Sequence, residues 1–193
     1  MLGTSLSQPY ECSLTAEALF EGGVPLTVRD QTTLTPTGPV TVEAVKVVFG
    51  ISGWARIESG GNNPVFLEPG TILTIPAGVT CVGHPHGHTR TVTFYLHTDY
   101  LAHELRWLPR MHPLMHHLQR SLDGATSLSG LRLPQSAMHE LGSRLGHLAQ
   151  MEAKQGSEFA MLSGASAVID LVGHASGLGG HDSGRGQRQD PSA

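Results

Sequence analysis

Short apolar segments separated by turn-forming residues dominate the first half of the sequence. The segments at 42–57, 71–75 and 91–96 are rich in Val, Ile, Phe and Thr, and turns containing Gly and Pro divide them, as at 60–64. β-Branched and aromatic residues suit a pleated, half-buried surface, and closely spaced turns are typical of antiparallel sheets. Residues 24–98 are therefore predicted to form a small β-sandwich or barrel.

The spacing of apolar residues changes after Leu96, from alternation to steps of three and four. Such a period places the apolar side chains on one face of a helix. Helices are predicted at 100–108, 113–122, 134–154 and 159–172. The fold class is therefore predicted as α+β, a barrel followed by C-terminal helices. The predicted domains are an N-terminal arm at 1–23, the barrel at 24–98, a helical dimerisation region at 99–174 and a flexible tail or linker at 175–193.

The helix predicted at 134–154 carries a narrow apolar stripe. Its members are spaced by three or four residues, as at the seam of two packed helices, and are Met138, Leu141, Leu145 and Leu148. The segment 159–172 is apolar nearly all round, which favours burial against the barrel. The stripe is therefore predicted to be a homodimer interface. The alternative is that the last two helices have exchanged roles and the stripe belongs to the core.

Charge and composition exclude several classes of function. The 193-residue chain has 12 Lys and Arg against 16 Asp and Glu, a formal net charge of −4, and no basic stripe. This chain alone is therefore a poor nucleic-acid binder. The N-terminus has no signal-like apolar run, no membrane span is expected, and the 2 cysteines are too few for a disulfide framework. These features predict a cytoplasmic protein. The 12 histidines leave a histidine-based pH or metal sensor as an alternative function.

A glycine–proline–glycine pattern in the predicted barrel resembles the second conserved motif of cupins. Gly70, Pro76 and Gly78 stand at the motif positions, and Cys81 stands where the motif has a histidine. By the same resemblance, the acidic position of the first cupin motif holds Lys46. The resemblance implies a cupin-like barrel without its usual metal site, because a lysine and a cysteine do not form a divalent-metal set.

The order of arm, barrel, amphipathic helices and tail resembles the sensor half of AraC/XylS-family transcription regulators. The resemblance covers about residues 20–175 and includes the segments 95–107 and 169–173. It implies a barrel that binds a small-molecule effector, a homodimer, and neither enzymatic activity nor a cofactor. DNA would be bound only through a helix-turn-helix domain that is absent from this chain. The alternative from another class is a small cupin enzyme.

Candidate effector-binding residues follow from the resemblance and from strand alternation. They are Lys46, Trp54, Cys81, His84, Tyr95 and His97. Cys81 is expected to point into the barrel because the cupin histidine does so, and Lys46 by the same reasoning. The alternatives are that Cys81 is a small core residue and that a register shift turns Lys46 outward. The sequence leaves open whether Tyr95 and His97 face the cavity.

Trp54 and His84 are the candidates outside the motif positions. Trp54 is a possible ligand platform on a strand face that could also be exposed to solvent. His84 opens the run 84–88, which Pro85 and Gly87 predict to be a polar surface loop, with a pocket rim or a metal site as alternatives. No catalytic residue is predicted, since the serines lack a nucleophile-elbow setting and no phosphate loop is present.

Overall fold

The computed structural model describes residues 12–60 and 63–177. Its strands, in chain order, are β1 (Cys12–Leu14), β2 (Leu26–Thr33), β3 (Val40–Val42), β4 (Val45–Ser59), β5 (Val65–Leu67), β6 (Thr71–Ile75), β7 (Cys81–Leu96) and β8 (Ser129–Arg132). Its helices are α1 (Ala16–Leu19), α2 (Thr98–Glu104), α3 (Pro113–Leu122), α4 (Gln135–Ala153) and α5 (Glu158–Gly177). Residues 1–11 of the predicted arm and 178–193 of the predicted tail lie outside the described residues.

The long strands β4 and β7 run antiparallel and bend together. Their register shifts between Gly50 and Ser52 and again between Ser52 and Trp54, which marks a bulge. Glycine is needed at this bend: a Cβ at Gly50 would collide with the carbonyl oxygen of Glu68, and Gly53 has a φ of +70°. Because both strands bend at the same level, their halves belong to two sheets that face each other.

The two sheets share β4 and β7. The first sheet contains β2, the C-terminal half of β7, the N-terminal half of β4, β6 and β8. The second contains β1, β3, the remaining halves of β7 and β4, and β5. A largely antiparallel sheet folded back on itself in this way is a cupin-like barrel. The predicted α+β fold class is therefore confirmed.

The helices cover the outer face of the first sheet. Alternate strand residues such as Val47, Phe49 and Phe94 point out of the barrel and pack in one cluster with buried leucines of the helices. α4 lies on β2, and α5 packs on α4 and α3. The largest described cluster of buried side chains thus lies between the sheet and the helices, outside the barrel.

The stripe of α4 belongs to this core, so the predicted dimer interface is wrong. Leu141, Leu145 and Leu148 are 0%, 0% and 2% exposed within a single chain, and Met138 is half-buried against the same cluster. The outer face of the first sheet presents apolar side chains of its own, and the narrow stripe of α4 covers them. α4 thus takes the covering role that was expected of the last helix, whereas α5 packs on α4 and α3 and leaves Phe159 82% exposed.

α5 is longer than predicted and ends at Gly177. By length and composition alone, Glu158–Ser176 could cross a membrane, contrary to the expectation that no segment could. The many small apolar residues of α5 raise its hydropathy without adding large side chains. Within the chain the helix buries one stripe in the core, formed by Met161, Ala165, Val168, Val172 and Ala175.

Long-range strand pairing overrides local turn signals at two places. The run 84–88 lies inside β7 instead of forming a loop, and Pro85 is opposite Ala55 of β4. Proline is tolerated there because, among the described strands, β7 pairs with β4 alone at this level, so no second neighbour needs the missing N–H. The second place is β8, which lies in the predicted helical region and pairs with β6.

Candidate functional site

Lys46 and Cys81 meet inside the barrel. Nζ of Lys46 donates a hydrogen bond to Sγ of Cys81 over 3.1 Å. In the β4–β7 ladder Lys46 is opposite Tyr95, whereas Cys81 is opposite Ser59 at the far end. The two side chains touch because the ladder bends and brings its ends face to face. Both point inward, as expected from the sequence, while ligand binding by them stays a prediction.

The surroundings of this pair are largely apolar. Lys46 is 5% exposed, and Cys81 packs on the interior cluster of Leu67, Leu73 and Ile75. Sγ of Cys81 also lies 3.8 Å from the carbonyl oxygen of Val40, to which the thiol donates a weak hydrogen bond. A buried amine is costly without polar partners, and sulfur is a weak hydrogen-bond acceptor. The hydrogen bond to Cys81 therefore offsets only part of the cost of burying the amine.

Tyr95 extends the polar part of the interior. It is directly opposite Lys46 on the neighbouring strand and is 7% exposed. Burial raises the pKa of its hydroxyl, and the guanidinium of Arg29, which lies 5.3 Å from the ring centroid, opposes that change. The hydroxyl is therefore neutral near pH 7 and available as a hydrogen-bond donor.

The N-terminal arm closes this end of the barrel. β1 pairs in parallel with β3, so Cys12, Val40 and Cys81 lie side by side across β1, β3 and β7. α1 places Leu19 in a buried cluster with Tyr95, and the carbonyl oxygen of Leu19 accepts a 2.8 Å hydrogen bond from a threonine of β2. The arm therefore packs next to the end of the barrel that holds Tyr95 and Cys81.

The side chains of the interior site do not fit a metal ion. The pair offers one amine and one thiol, so the set lacks the imidazoles and carboxylates that bind divalent metals. Among residues 12–60 and 63–177, no group of three or more His, Cys, Asp and Glu side chains is arranged to hold a metal. The pair instead places two nucleophiles, an amine and a thiol, next to each other.

Trp54 and His84 lie on the outer surface of the barrel, away from the interior site. Trp54 stacks on His86 with 3.6 Å between ring centroids, and Nε2 of His84 lies 3.3 Å from Oε2 of Glu58. Ile57 alternates with these residues and belongs to the interior cluster, so they face the other way. Strand alternation turns Trp54 outward, onto the solvent-facing alternative, and places His84 on the same face; ligand binding by these two residues stays a prediction, at a surface separate from Lys46.

An open groove of about 1350 Å³ borders this outer surface. Its lining includes Trp54 and Phe66, whose ring centroids are 6.2 Å apart, and Leu131 from β8. A 2.8 Å salt bridge between Arg132 and Glu68 lies in the groove. Sequence reasoning missed this groove because it joins β4 and β5 to a strand far away in the chain.

His97 caps a helix and does not line the interior. Its Nδ1 accepts a 3.3 Å hydrogen bond from the backbone N–H of Asp99 at the start of α2. Its ring packs edge-on against Phe20, with 5.3 Å between centroids. His97 therefore connects the arm to the helical layer.

The sequence analysis did not predict two residues of the site. Arg29 follows the buried Val28 in β2, and this alternation indicates only that the two face opposite sides. Leu19 stands in the predicted arm, where nothing in the pattern indicates which surface it covers. Both reach Tyr95 through long-range packing, which local sequence does not reveal.

The known proteins similar to this chain are solved structures with low sequence identity. No protein-family model matches the sequence, and no curated protein matches it. A cupin superfamily protein from Desulfitobacterium hafniense DCB-2 is 13% identical, with 38% of this chain and 68% of that chain covered and a TM-score of 0.36. A cupin-like protein from Thermotoga maritima MSB8 is 14% identical, with 42% and 63% covered and a TM-score of 0.38. Ectoine synthase from P. lautus is 17% identical, with 40% and 58% covered and a TM-score of 0.36. The chain thus spans less than two thirds of the length of the last two.

The strand arrangement defines the class of the protein. β4 and β7 fold over to form the barrel, Gly70 and Gly78 have φ values of +90° and +75° at its turns, and the interior is lined by alternate strand residues. The chain therefore contains a cupin-like domain. Its particular features are the Lys46–Cys81 pair, the arm over the interior and the helical layer outside.

Proposed function

We propose that the chain is the effector-binding and dimerisation region of an AraC-type transcription regulator. In this proposal the barrel binds a small molecule without converting it, the protein is a cytoplasmic homodimer, and DNA is bound through a domain beyond this sequence. The observation that supports it most directly is the hydrogen-bonded pair of buried Lys46 and partly buried Cys81, next to an arm that belongs to the same chain. A barrel closed by its own N-terminal arm suits a sensor, because ligand and arm compete for or share one site.

The arm also has a physical route to the helical layer. Leu19 lies in the cluster around Tyr95, and the adjacent Phe20 contacts His97, the residue that caps α2. A ligand that favours one position of the arm would thereby favour one position of the α2 N-terminus. Such a population shift needs only a difference in ligand affinity between the two arm positions.

Dimerisation requires a surface other than the buried stripe of α4. The exposed side of the α4–α5 pair offers one: a groove of about 650 Å³ lined by residues that include His147, Met151, Phe159 and Ala160. α5 has a predominantly apolar composition, yet only 28% of its most apolar window is buried within the chain. A second copy of the chain, packed on Phe159 and its neighbours, would cover the remaining apolar surface.

Thermal stability in the presence of small molecules tests the proposal. A panel of metabolites is screened against the purified chain, and compounds that raise Tm are tested again on Lys46→Met and Cys81→Phe. An effector of the interior site should raise Tm of the parent and of Cys12→Ser, but not of the two interior variants. Turnover of the compound by the purified chain would contradict the sensor role and favour the cupin-enzyme alternative.

The regulatory half of the proposal needs a separate readout. The full gene product, with any further domain it encodes, is expressed with a reporter driven by its own upstream region. A compound that raises Tm of the purified chain should change reporter output. Lys46→Met should abolish this response, and Cys12→Ser should leave it intact. Reporter output that ignores the compound and the variants would contradict a role in transcription.

A further inference from the structure

We propose that the Lys46–Cys81 pair is a covalent binding site for a one-carbon aldehyde, that is, formaldehyde. The inference rests on the proposed sensor function and gives the effector a chemical class. The aldehyde carbon would link Nζ of Lys46 to Sγ of Cys81 and so join the two sheets of the barrel through their side chains.

The geometry favours a bridge of one atom. Nζ and Sγ are 3.1 Å apart, too far for a direct bond and close to the separation of two heteroatoms attached to the same carbon. The two residues belong to opposite ends of the β4–β7 ladder, so the bend in the ladder holds them at this distance. A single carbon can therefore be inserted with little movement of the backbone.

The chemistry of the two groups is complementary. Lysine amines form Schiff bases with carbonyl compounds, and the cysteine thiolate is a strong nucleophile near pH 7. The amine of Lys46 adds to the aldehyde carbon, and the hydroxyl group of the adduct takes up a proton and leaves as water to give an iminium ion; the proton later released by the thiol replaces the one taken up. The sulfur of Cys81 then donates an electron pair to the iminium carbon, and its thiol proton is released. Amine, thiol and formaldehyde thus yield an N–CH2–S bridge and one water molecule, without an oxidant or a reductant.

Burial sets the size of the aldehyde. Lys46 is 5% exposed, and the neighbouring Leu73 and Ile75 are 0% and 3% exposed, so little space surrounds the pair. Cys81 is only partly buried, which leaves the sulfur reachable for a small reagent. A one-carbon aldehyde adds only a methylene group between the two atoms, whereas larger aldehydes add a substituent that the packed interior must accommodate.

The composition of the chain makes the pairing conspicuous and easy to test. The lysines of the sequence are Lys46 and Lys154, and the cysteines are Cys12 and Cys81. Lys154 and Cys12 are exposed, so they serve as matched controls for the same two reactions at the surface.

Bridge formation has a route to the arm. The thiol of Cys81 donates its weak hydrogen bond to the carbonyl oxygen of Val40, and Val40 pairs with Cys12 of β1. A bridged sulfur has no proton, so this contact to β3 is lost beside the strand that anchors the arm. The bridged and free forms therefore differ at the point where the arm joins the sheet.

Mass spectrometry tests the covalent step. The full chain is incubated with an equimolar amount of formaldehyde, freed of excess reagent and measured intact and after peptide mapping. The expected result is a gain equal to the mass of one carbon atom, with Lys46 and Cys81 in linked peptides and one thiol lost to titration. Lys46→Arg and Cys81→Ser should lose the bridge, whereas Lys154→Arg and Cys12→Ser should keep it. Because the mapping is done on the parent chain, the result stands even if a variant folds poorly.

The outcomes separate this inference from the proposed function. A bridge mapped to other residues, or one retained in Cys81→Ser, overturns the aldehyde site, while the metabolite screen on the barrel still tests the sensor role. Limited proteolysis of the bridged chain then addresses the link to the arm. A changed cleavage rate within residues 12–23 supports sensing through the bridge, and an unchanged rate overturns it.

Discussion

Gly164 of α5 lies directly against Leu148 of α4: a Cβ on Gly164 would come 2.5 Å from Cδ2 of Leu148. The close approach of the two helices depends on this missing side chain, because packed interiors have no room for an added methyl group. The glycine, which weakens α5 as an isolated helix, is thus required for its packing on α4.

The first prediction is that Gly164→Ala destabilises the chain. The added methyl group must displace Leu148, a 2% exposed side chain, and such overpacking costs roughly 1–3 kcal/mol. Gly142 is the matched control, since it lies in α4 with open space around its Cβ position. Gly142→Ala should raise stability by up to about 1 kcal/mol through helix propensity. Urea unfolding curves measure both changes, and equal shifts for the two variants would contradict the close approach.

The second prediction concerns the stripe of α4. Leu145→Ala should lower the free energy of unfolding by about 2–5 kcal/mol, because a 0% exposed leucine leaves a cavity. The double variant Leu141→Glu with Leu145→Glu should fail to fold and not give a folded monomer. Met111→Ala, at a 93% exposed position, should stay within about 0.5 kcal/mol of the parent. A folded, monomeric double variant by analytical ultracentrifugation would restore the stripe as a dimer interface.

The third prediction places dimerisation on the opposite side of the same helices. Phe159→Glu puts a charge on an 82% exposed apolar residue of α5 and should weaken the dimer without loss of thermal stability. Phe66→Glu, at a 52% exposed position on the outer barrel surface, is the control and should leave the dimer intact. Sedimentation velocity over a range of concentrations distinguishes the two. Dimers unaffected by Phe159→Glu would assign the interface to another surface.

The fourth prediction is that Leu19 fastens the arm. Its side chain is 7% exposed in the cluster with Tyr95, so Leu19→Ser should release the arm and expose the interior site. Brief protease treatment should then cleave within residues 12–23 faster than in the parent. Leu34→Ser, at a 56% exposed leucine outside the arm, should not change cleavage there. Identical digestion of all three proteins would show that the arm is held by other contacts.

The fifth prediction is a loss of stability on acidification. Burial, with smaller effects from His116 and Arg120, lowers the pKa of His117 below its ordinary value of 6.5. As the pH falls below 6.5, the unfolded chain therefore takes up this proton before the folded chain does, and stability decreases until the folded pKa is reached. His117→Gln should reduce the fall in Tm over this range. A variant that follows the parent at every pH would assign the effect to other groups.

The sequence by itself determined the elements that depend on local pattern. α3 begins at Pro113 and ends at Leu122, and α4 covers almost the whole range predicted for it, because three- and four-residue spacing is a local property. The glycines of the motif, Gly70 and Gly78, occupy positive-φ turns that other residues adopt rarely. The inward orientation of Lys46 and Cys81 also followed from sequence, through the register of a recognisable motif.

The tertiary structure decided which surfaces face each other. The stripe of α4 has the spacing of a dimer seam. The apolar outer face of the barrel in the same chain packs against this stripe and leaves it unavailable to a second copy. Likewise Pro85 indicates a loop, yet pairing with β4 draws it into β7 and turns His84 and Trp54 to the outside, while Gly87 lies at the bend with a φ of +72°. Burial and strand pairing between distant residues contribute more free energy than local turn preference. The spacing of apolar residues along a helix also does not indicate which surface those residues contact.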